Sequence, residues 1–140
     1  MLAFKKRIWV PAIDKEFLFI EAIENGTKTQ TIRKSDFRVN IHSLQPFGAP
    51  GFFRPGRLFV KDKYVKKFDE LDYSEILADG FCCWDDFYEL MRVLNPKFQH
   101  SWHVLVIKFE YLNPEQISQL RAKFEATPEP LDKVYEREYL

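Results

Sequence analysis

The amino-acid sequence predicts an α+β domain: a small mixed β-sheet or barrel with flanking helices. Three observations lead there. Strand-like and helix-like segments alternate, but with too few strand–helix–strand units for a wound parallel sheet. Residues 102 to 111 begin apolar on both faces and end in alternation, as in a strand covered on two sides. Trp84, Phe87, Tyr88, Met91 and Leu94 form one apolar stripe at helical spacing. The 140 residues suit one domain, and a hydrophobic fraction of 46% that includes 14 Phe supplies a core and excludes wholesale disorder.

Along the chain, Ile8-Trp9-Val10 reads as a short strand closed by Pro11, and Asp14 as the cap of a helix running to Glu24. Asn25-Gly26 ends that helix, because Gly tolerates the left-handed backbone just past a helix end. Lys28 to Arg33 reads as a strand, with Thr29, Thr31 and Ile32 β-branched. Lys34 to Pro55 reads as an irregular loop broken by Pro46, Gly48, Pro50 and Gly51. Leu58-Phe59-Val60 and Tyr64 to Phe68 are two further strands.

The striped helix follows Asp79-Gly80-Phe81, carries Asp85 and Asp86 where the helix dipole favours negative charge, and ends by Pro96. After the strand from Trp102 to Tyr111, Asn113 caps a last helix, with Pro114 at its first position and Gln116 at capping-box spacing. Ile117, Leu120 and Phe124 are its docking residues. Residues 1 to 112 form the domain proper; 113 to 140 form a C-terminal helix and an acidic tail that packs on it or extends from it.

A net charge of zero conceals a strong asymmetry. Residues 28 to 67 carry ten basic and two acidic side chains, and residues 68 to 140 carry 7 basic and 15 acidic ones. A basic middle segment either attracts a polyanion such as RNA or pairs with the acidic half across the fold. No apolar run approaches the roughly 18 to 20 residues of a membrane helix, and the N-terminus lacks a secretory pattern. Cys82 and Cys83 are adjacent, a spacing that strains a disulfide, so a cytoplasmic protein is expected. The pair reads as small buried residues ahead of a helix. His42, His100 and His103 share no ligand spacing with the cysteines, and no metal is expected. There is no phosphate-binding Gly loop, dinucleotide fingerprint or nucleophile elbow, and no cofactor is implied.

What remains is Gly26-Thr27-Lys28-Thr29-Gln30-Thr31-Ile32-Arg33, where an amine, a hydroxyl and a guanidinium crowd a strand-like segment. Such groups on a rigid strand suit a base edge or a phosphate; an edge strand facing water would look similar. Lys28 and Thr31 are an odd number apart, so one cleft holds both only if Lys28 sits in a turn or a bulge intervenes. Phe52 and Phe53 beside Arg54 and Arg57 form a second candidate surface for single-stranded RNA, or else a satellite core under the loop.

The run Gly-x-Lys-Thr-x-Thr-x-Arg resembles the signature of the ASCH family, a branch of the PUA-like β-barrels. Pro55-Gly56-Arg57-Leu58-Phe59-Val60, Asp79-Gly80-Phe81 opening a helix, and the closing strand from Trp102 follow in the family's order, over residues 8 to 112. The resemblance implies a small mixed β-barrel with flanking helices and a cleft that binds RNA or a modified nucleoside.

One subgroup removes the acetyl group of N4-acetylcytidine with a Lys, a Thr and a Glu. These fall on Lys28 as base, Thr31 as nucleophile and, with Asp in place of Glu, Asp79. Gly26, Thr29, Arg33, Arg54, Arg57 and Lys61 are then the substrate-binding candidates. A non-catalytic RNA-binding module is the alternative. So is a ribonuclease using Lys28, Lys61 and Lys63, since another ASCH type is linked to that activity.

Overall fold

The strand that is apolar on both faces lies inside the main sheet, where its pattern requires it to be. The structure, a computed structural model, describes residues 1–126. Its strands are β1 (Leu2–Ala3), β2 (Ile8–Val10), β3 (Lys15–Phe17), β4 (Gln30–Lys34), β5 (Leu44–Gln45), β6 (Phe47–Ala49), β7 (Phe52–Phe53), β8 (Arg57–Lys67) and β9 (His103–Leu112). Its helices are α1 (Phe19–Glu24), α2 (Tyr73–Ala78), α3 (Trp84–Leu94) and α4 (Pro114–Ala126).

Four antiparallel strands in the order β4-β9-β8-β5 form a curled half-barrel, joined by a β1-β6-β7 sheet and a β2-β3 hairpin. The β1–β6 pair is parallel, so the architecture is mixed. Val104, Leu105, Val106 and Ile107 of β9 are all buried, which explains why both faces of that strand are apolar. On α3, Phe87 and Leu90 face the same core. No helix among the described residues is long and apolar enough to cross a membrane.

Four local expectations are corrected. Asp14 does not cap a helix. It takes a left-handed conformation (φ 51°) that turns the chain from a 3-10 turn at Pro11–Ile13 into β3, so α1 starts only at Phe19. The segment from Lys34 to Pro55 is not loop throughout: β5, β6 and β7 form there because β8 and β1 offer edges to pair with. The two strands at 58–60 and 64–68 are one strand, β8, paired with β9 across a register shift between Val60 and Asp62. The extra residue there, Lys61, is a bulge.

Asp79 ends a helix rather than opening one, as the C-cap of α2. That helix begins with a capping box in which the Asp72 carboxylate accepts from the Glu75 N–H at 2.9 Å and Glu75 accepts from the Asp72 N–H at 2.9 Å. The capping box at Asn113 and Gln116 forms as predicted. Ile117 and Leu120 dock α4 against Phe59 and Leu112 in a second small core. The Phe124 side chain and the tail from Thr127 lie outside the described residues.

Glu75 does more than cap. It is buried, and it accepts hydrogen bonds from the Tyr64 hydroxyl and from Lys66 Nζ at 2.6 Å. Burial pushes its carboxyl up, but the Lys66, Tyr64 and Asp72 hydrogen bonds outweigh this and hold it below the ordinary 4.5. Its contribution to stability is therefore present above pH 4.5 and lost as the pH falls through the lowered folded value. Glu75→Gln is expected to cost about 2 kcal/mol at neutral pH and to flatten the acid limb of a stability–pH curve measured by urea unfolding.

Gly48 supports the hairpin that follows. A Cβ there would lie 2.3 Å from the Phe52 carbonyl oxygen and 2.8 Å from the Phe53 Cα, both backbone atoms. Gly48→Ala is expected to separate β6 from β7 and lower the thermal midpoint by several degrees, since about 1 kcal/mol shifts a domain of this size by roughly 3 to 6 °C.

Candidate functional site

The segment between α1 and β4 is tied at both flanks before the sheet begins. Gly26 turns the chain out of α1 at φ +86°, and its N–H donates to the Ile23 carbonyl at 3.2 Å. The Lys28 N–H donates to the Ala22 carbonyl at 3.0 Å, and the Thr29 N–H donates to the Ala78 carbonyl at 2.8 Å. Lys28 thus sits in the turn, ahead of the ladder that starts at Gln30, which resolves the odd spacing. Both Lys28 and Thr31 reach one cavity.

That cavity measures about 210 Å³ and is lined by Lys28, Thr31, Arg33 and Asp79 among the apolar side chains of Phe4, Ile8, Phe19, Leu90, Met91 and Leu94. Lys28 is buried, and its Nζ donates at 2.8 Å to both the side-chain and the backbone oxygen of Asp79, 51 residues away. The Phe19 ring lies 4.6 Å from the same ammonium. Gly80 (φ +97°) turns the chain directly behind Lys28, and a Cβ there would meet the Lys28 Cβ at 3.5 Å.

Burial drives the pair toward its neutral form. It pushes the Lys28 ammonium below its ordinary value despite the pull of Asp79, and it pushes the Asp79 carboxyl above its own. Burial likewise lowers Arg33, with Asp79 opposing. The Arg33 guanidinium lies over the rings of Phe4 and Phe37 at 4.7 and 5.5 Å and donates through Nη2 to the Ala3 carbonyl at 2.7 Å. Its Nε is buried without a partner among the described residues. An unpaired buried donor is costly, which singles out Arg33 among the residues that line the cavity.

The other candidates separate from this cluster. Gly26, Thr29 and Lys61 line an open groove of about 790 Å³ on the other side of the turn, with Glu24, Lys108 and Tyr111. Among the described residues, Lys28 alone lines both cavities. Arg54 lines neither: its Nε donates to both oxygens of Glu24 at 3.1 and 3.0 Å, and its guanidinium lies 5.1 Å from the Phe52 ring. Arg57 donates to the Gly56 carbonyl at 2.9 Å, which folds it back on its own loop. Lys63 Nζ donates to the Val39 carbonyl at 2.8 Å, so Lys28, Lys61 and Lys63 do not share one phosphate-sized site. Of the two adjacent phenylalanines, Phe52 packs on the core, while Phe53 is 60% exposed.

A second open groove of about 1040 Å³ adjoins the small cavity through Ile32, Arg33, Met91 and Leu94 and is lined further by Lys34, Phe98, Trp102 and His103. Sequence reading had no means to place this groove. Its walls come from β4, the end of α3 and the entrance of β9, which only the fold brings together.

No protein-family model and no curated protein matches the chain. Solved structures do resemble it. An ASCH domain from Lactobacillus crispatus superimposes with a TM-score of 0.59 at 9% identity, over 66% of this chain and 69% of that one. A protein of Enterococcus faecalis described by the DUF984 family model superimposes with a TM-score of 0.53 at 12% identity, over 66% of this chain and 68% of that one. The curled half-barrel with its flanking helices, which the sequence resemblance led one to expect, is the fold of an ASCH domain.

Proposed function

We propose that the protein binds a modified nucleoside, free or within RNA, and hydrolyses an acyl amide on the base, with N4-acetylcytidine as the reference substrate. The observation that carries this reading is the convergence of Lys28, Thr31 and Asp79 on one small cavity that Arg33 also lines. At about 30 Å³ per water, 210 Å³ holds about seven waters, which suits a base-sized group rather than a whole nucleotide. The sugar would then lie in the adjoining groove, near Trp102 and His103.

In this reading the neutral Lys28 amine takes the Thr31 hydroxyl proton as the oxygen attacks the acyl carbonyl. The protonated Asp79 carboxyl gives its proton to the departing amine nitrogen as the carbon–nitrogen bond breaks. Water then cleaves the Thr31 ester, which releases the acid and returns the proton inventory to its start. A free-solution Lys is almost wholly protonated at neutral pH, so the burial of Lys28 is what makes it a base.

The non-catalytic reading is favoured by one fact. Lys28 Nζ already donates to two oxygens of Asp79, a geometry that also serves as a fixed structural strut. Acetate release from N4-acetylcytidine separates the two. The hydrolase reading requires turnover by the wild type and its loss in Lys28→Ala; absent turnover, with labelled single-stranded RNA bound intact and with steep salt dependence, supports the module instead.

A further inference from the structure

Outside this cavity, a separate cluster of soft ligands sits at the start of α3. Cys83 is the residue before the helix, Cys82 precedes it, and Asp86 lies in the first turn. Their ligand atoms all fall within 4.8 Å of one another. Cys82 Sγ is 3.9 Å from Cys83 Sγ and 3.4 Å from Asp86 Oδ2.

The two separations from Cys82 Sγ match a coordination polyhedron. Bonds of about 2.3 Å to sulfur and about 2.0 Å to oxygen at tetrahedral angles place two sulfurs about 3.8 Å apart and a sulfur and an oxygen about 3.5 Å apart. Cys82 therefore stands at zinc-like spacing from both other ligands before any ion enters, and the Cys83 sulfur and the Asp86 carboxylate, within 4.8 Å of each other, need only close up around it. We propose that Cys82, Cys83 and Asp86 bind one thiophilic divalent cation of the zinc type, with the fourth position open to solvent.

Two further features define the site. Cys82 is exposed and Cys83 half-buried, so an ion reaches both sulfurs without opening the core. Among the described residues, Lys15 of β3 already places a positive charge at this point: its Nζ donates to Asp86 Oδ2 and lies 3.9 Å from Cys82 Sγ. The Lys15 side chain is 47% exposed and has room to swing outward when a cation takes over its partners. Binding converts two thiols to thiolates, so one divalent ion exchanges for two protons, and hard ions such as magnesium do not compete.

The test is cadmium titration of the full chain, read by thiolate-to-metal absorption in the ultraviolet and by proton release in weak buffer. One ion per chain and about two protons per ion are expected. Cys82→Ser and Cys83→Ser should each weaken binding tenfold or more. Lys15→Met should tighten it several-fold, a gain that misfolding would not produce. Equal affinity in wild type and both serine variants, one ion shared by two chains, or binding without proton release would each overturn the site.

Discussion

A Lys28→Met chain is expected to unfold about 2 to 3 kcal/mol more easily than the wild type at neutral pH, because two buried Asp79 oxygens lose the donor they share. The deficit should depend on pH in a definite direction. Asp79 stays buried and loses the ammonium that held its carboxyl down, so its folded value moves further above the ordinary 3.8. A group with a raised folded value stabilises below its unfolded value and loses that contribution as the pH rises through the folded one. Lys28→Met should therefore be nearest to wild type below about pH 4 and weaken as the pH rises. Adding Asp79→Asn should remove most of that slope. Urea unfolding of the two variants at pH 4 and pH 8 checks it, and a deficit in Lys28→Met that is flat with pH would count against a buried pair poised near neutrality.

The second large effect is on turnover. Thr31→Val keeps the shape and the β-branch of a buried strand residue while removing the hydroxyl. Under the hydrolase reading, acetate release should fall by about 10³-fold or more, as when a nucleophile is deleted, with stability changed by about 1 kcal/mol. Turnover by Thr31→Val within tenfold of the wild type would remove Thr31 from the chemistry and leave water as the attacking group. Under the same reading, stability measurements would separate the two residues: Lys28→Met should lose both stability and turnover, and Thr31→Val turnover alone.

How far the sequence reached depends on how far apart the interacting residues lie. The α3 stripe, the cap at Asn113 with its answering Gln116, and the Gly26 helix stop all involve residues within a turn or two of each other, and all formed as expected. The start of α2 is equally local, since Asp72 and Glu75 stand at capping-box spacing ahead of Ile76 and Leu77. The cysteines correct a further expectation: read as buried, Cys82 is exposed and Cys83 half-buried. Their sulfurs come within reach of the Asp86 carboxylate only because a helix starts beside them, a proximity that residue spacing alone does not show.

By itself, then, the sequence determined the α+β class, the two-sided character of β9 and the polar segment from Gly26 to Arg33. Short-range periodicity and capping are written in neighbouring residues. The tertiary structure decided that β5, β6 and β7 exist, since such short strands form only where an edge awaits them. It also divided the basic segment, sending Arg33 to the small cavity, Lys61 to the open groove, and Arg54 to a partner in Glu24. Above all it joined Lys28 to Asp79 across 51 residues and buried both. Charge and spacing along a chain say which groups are available; only packing withdraws water from them, and that withdrawal is what turns an ordinary lysine into a candidate base.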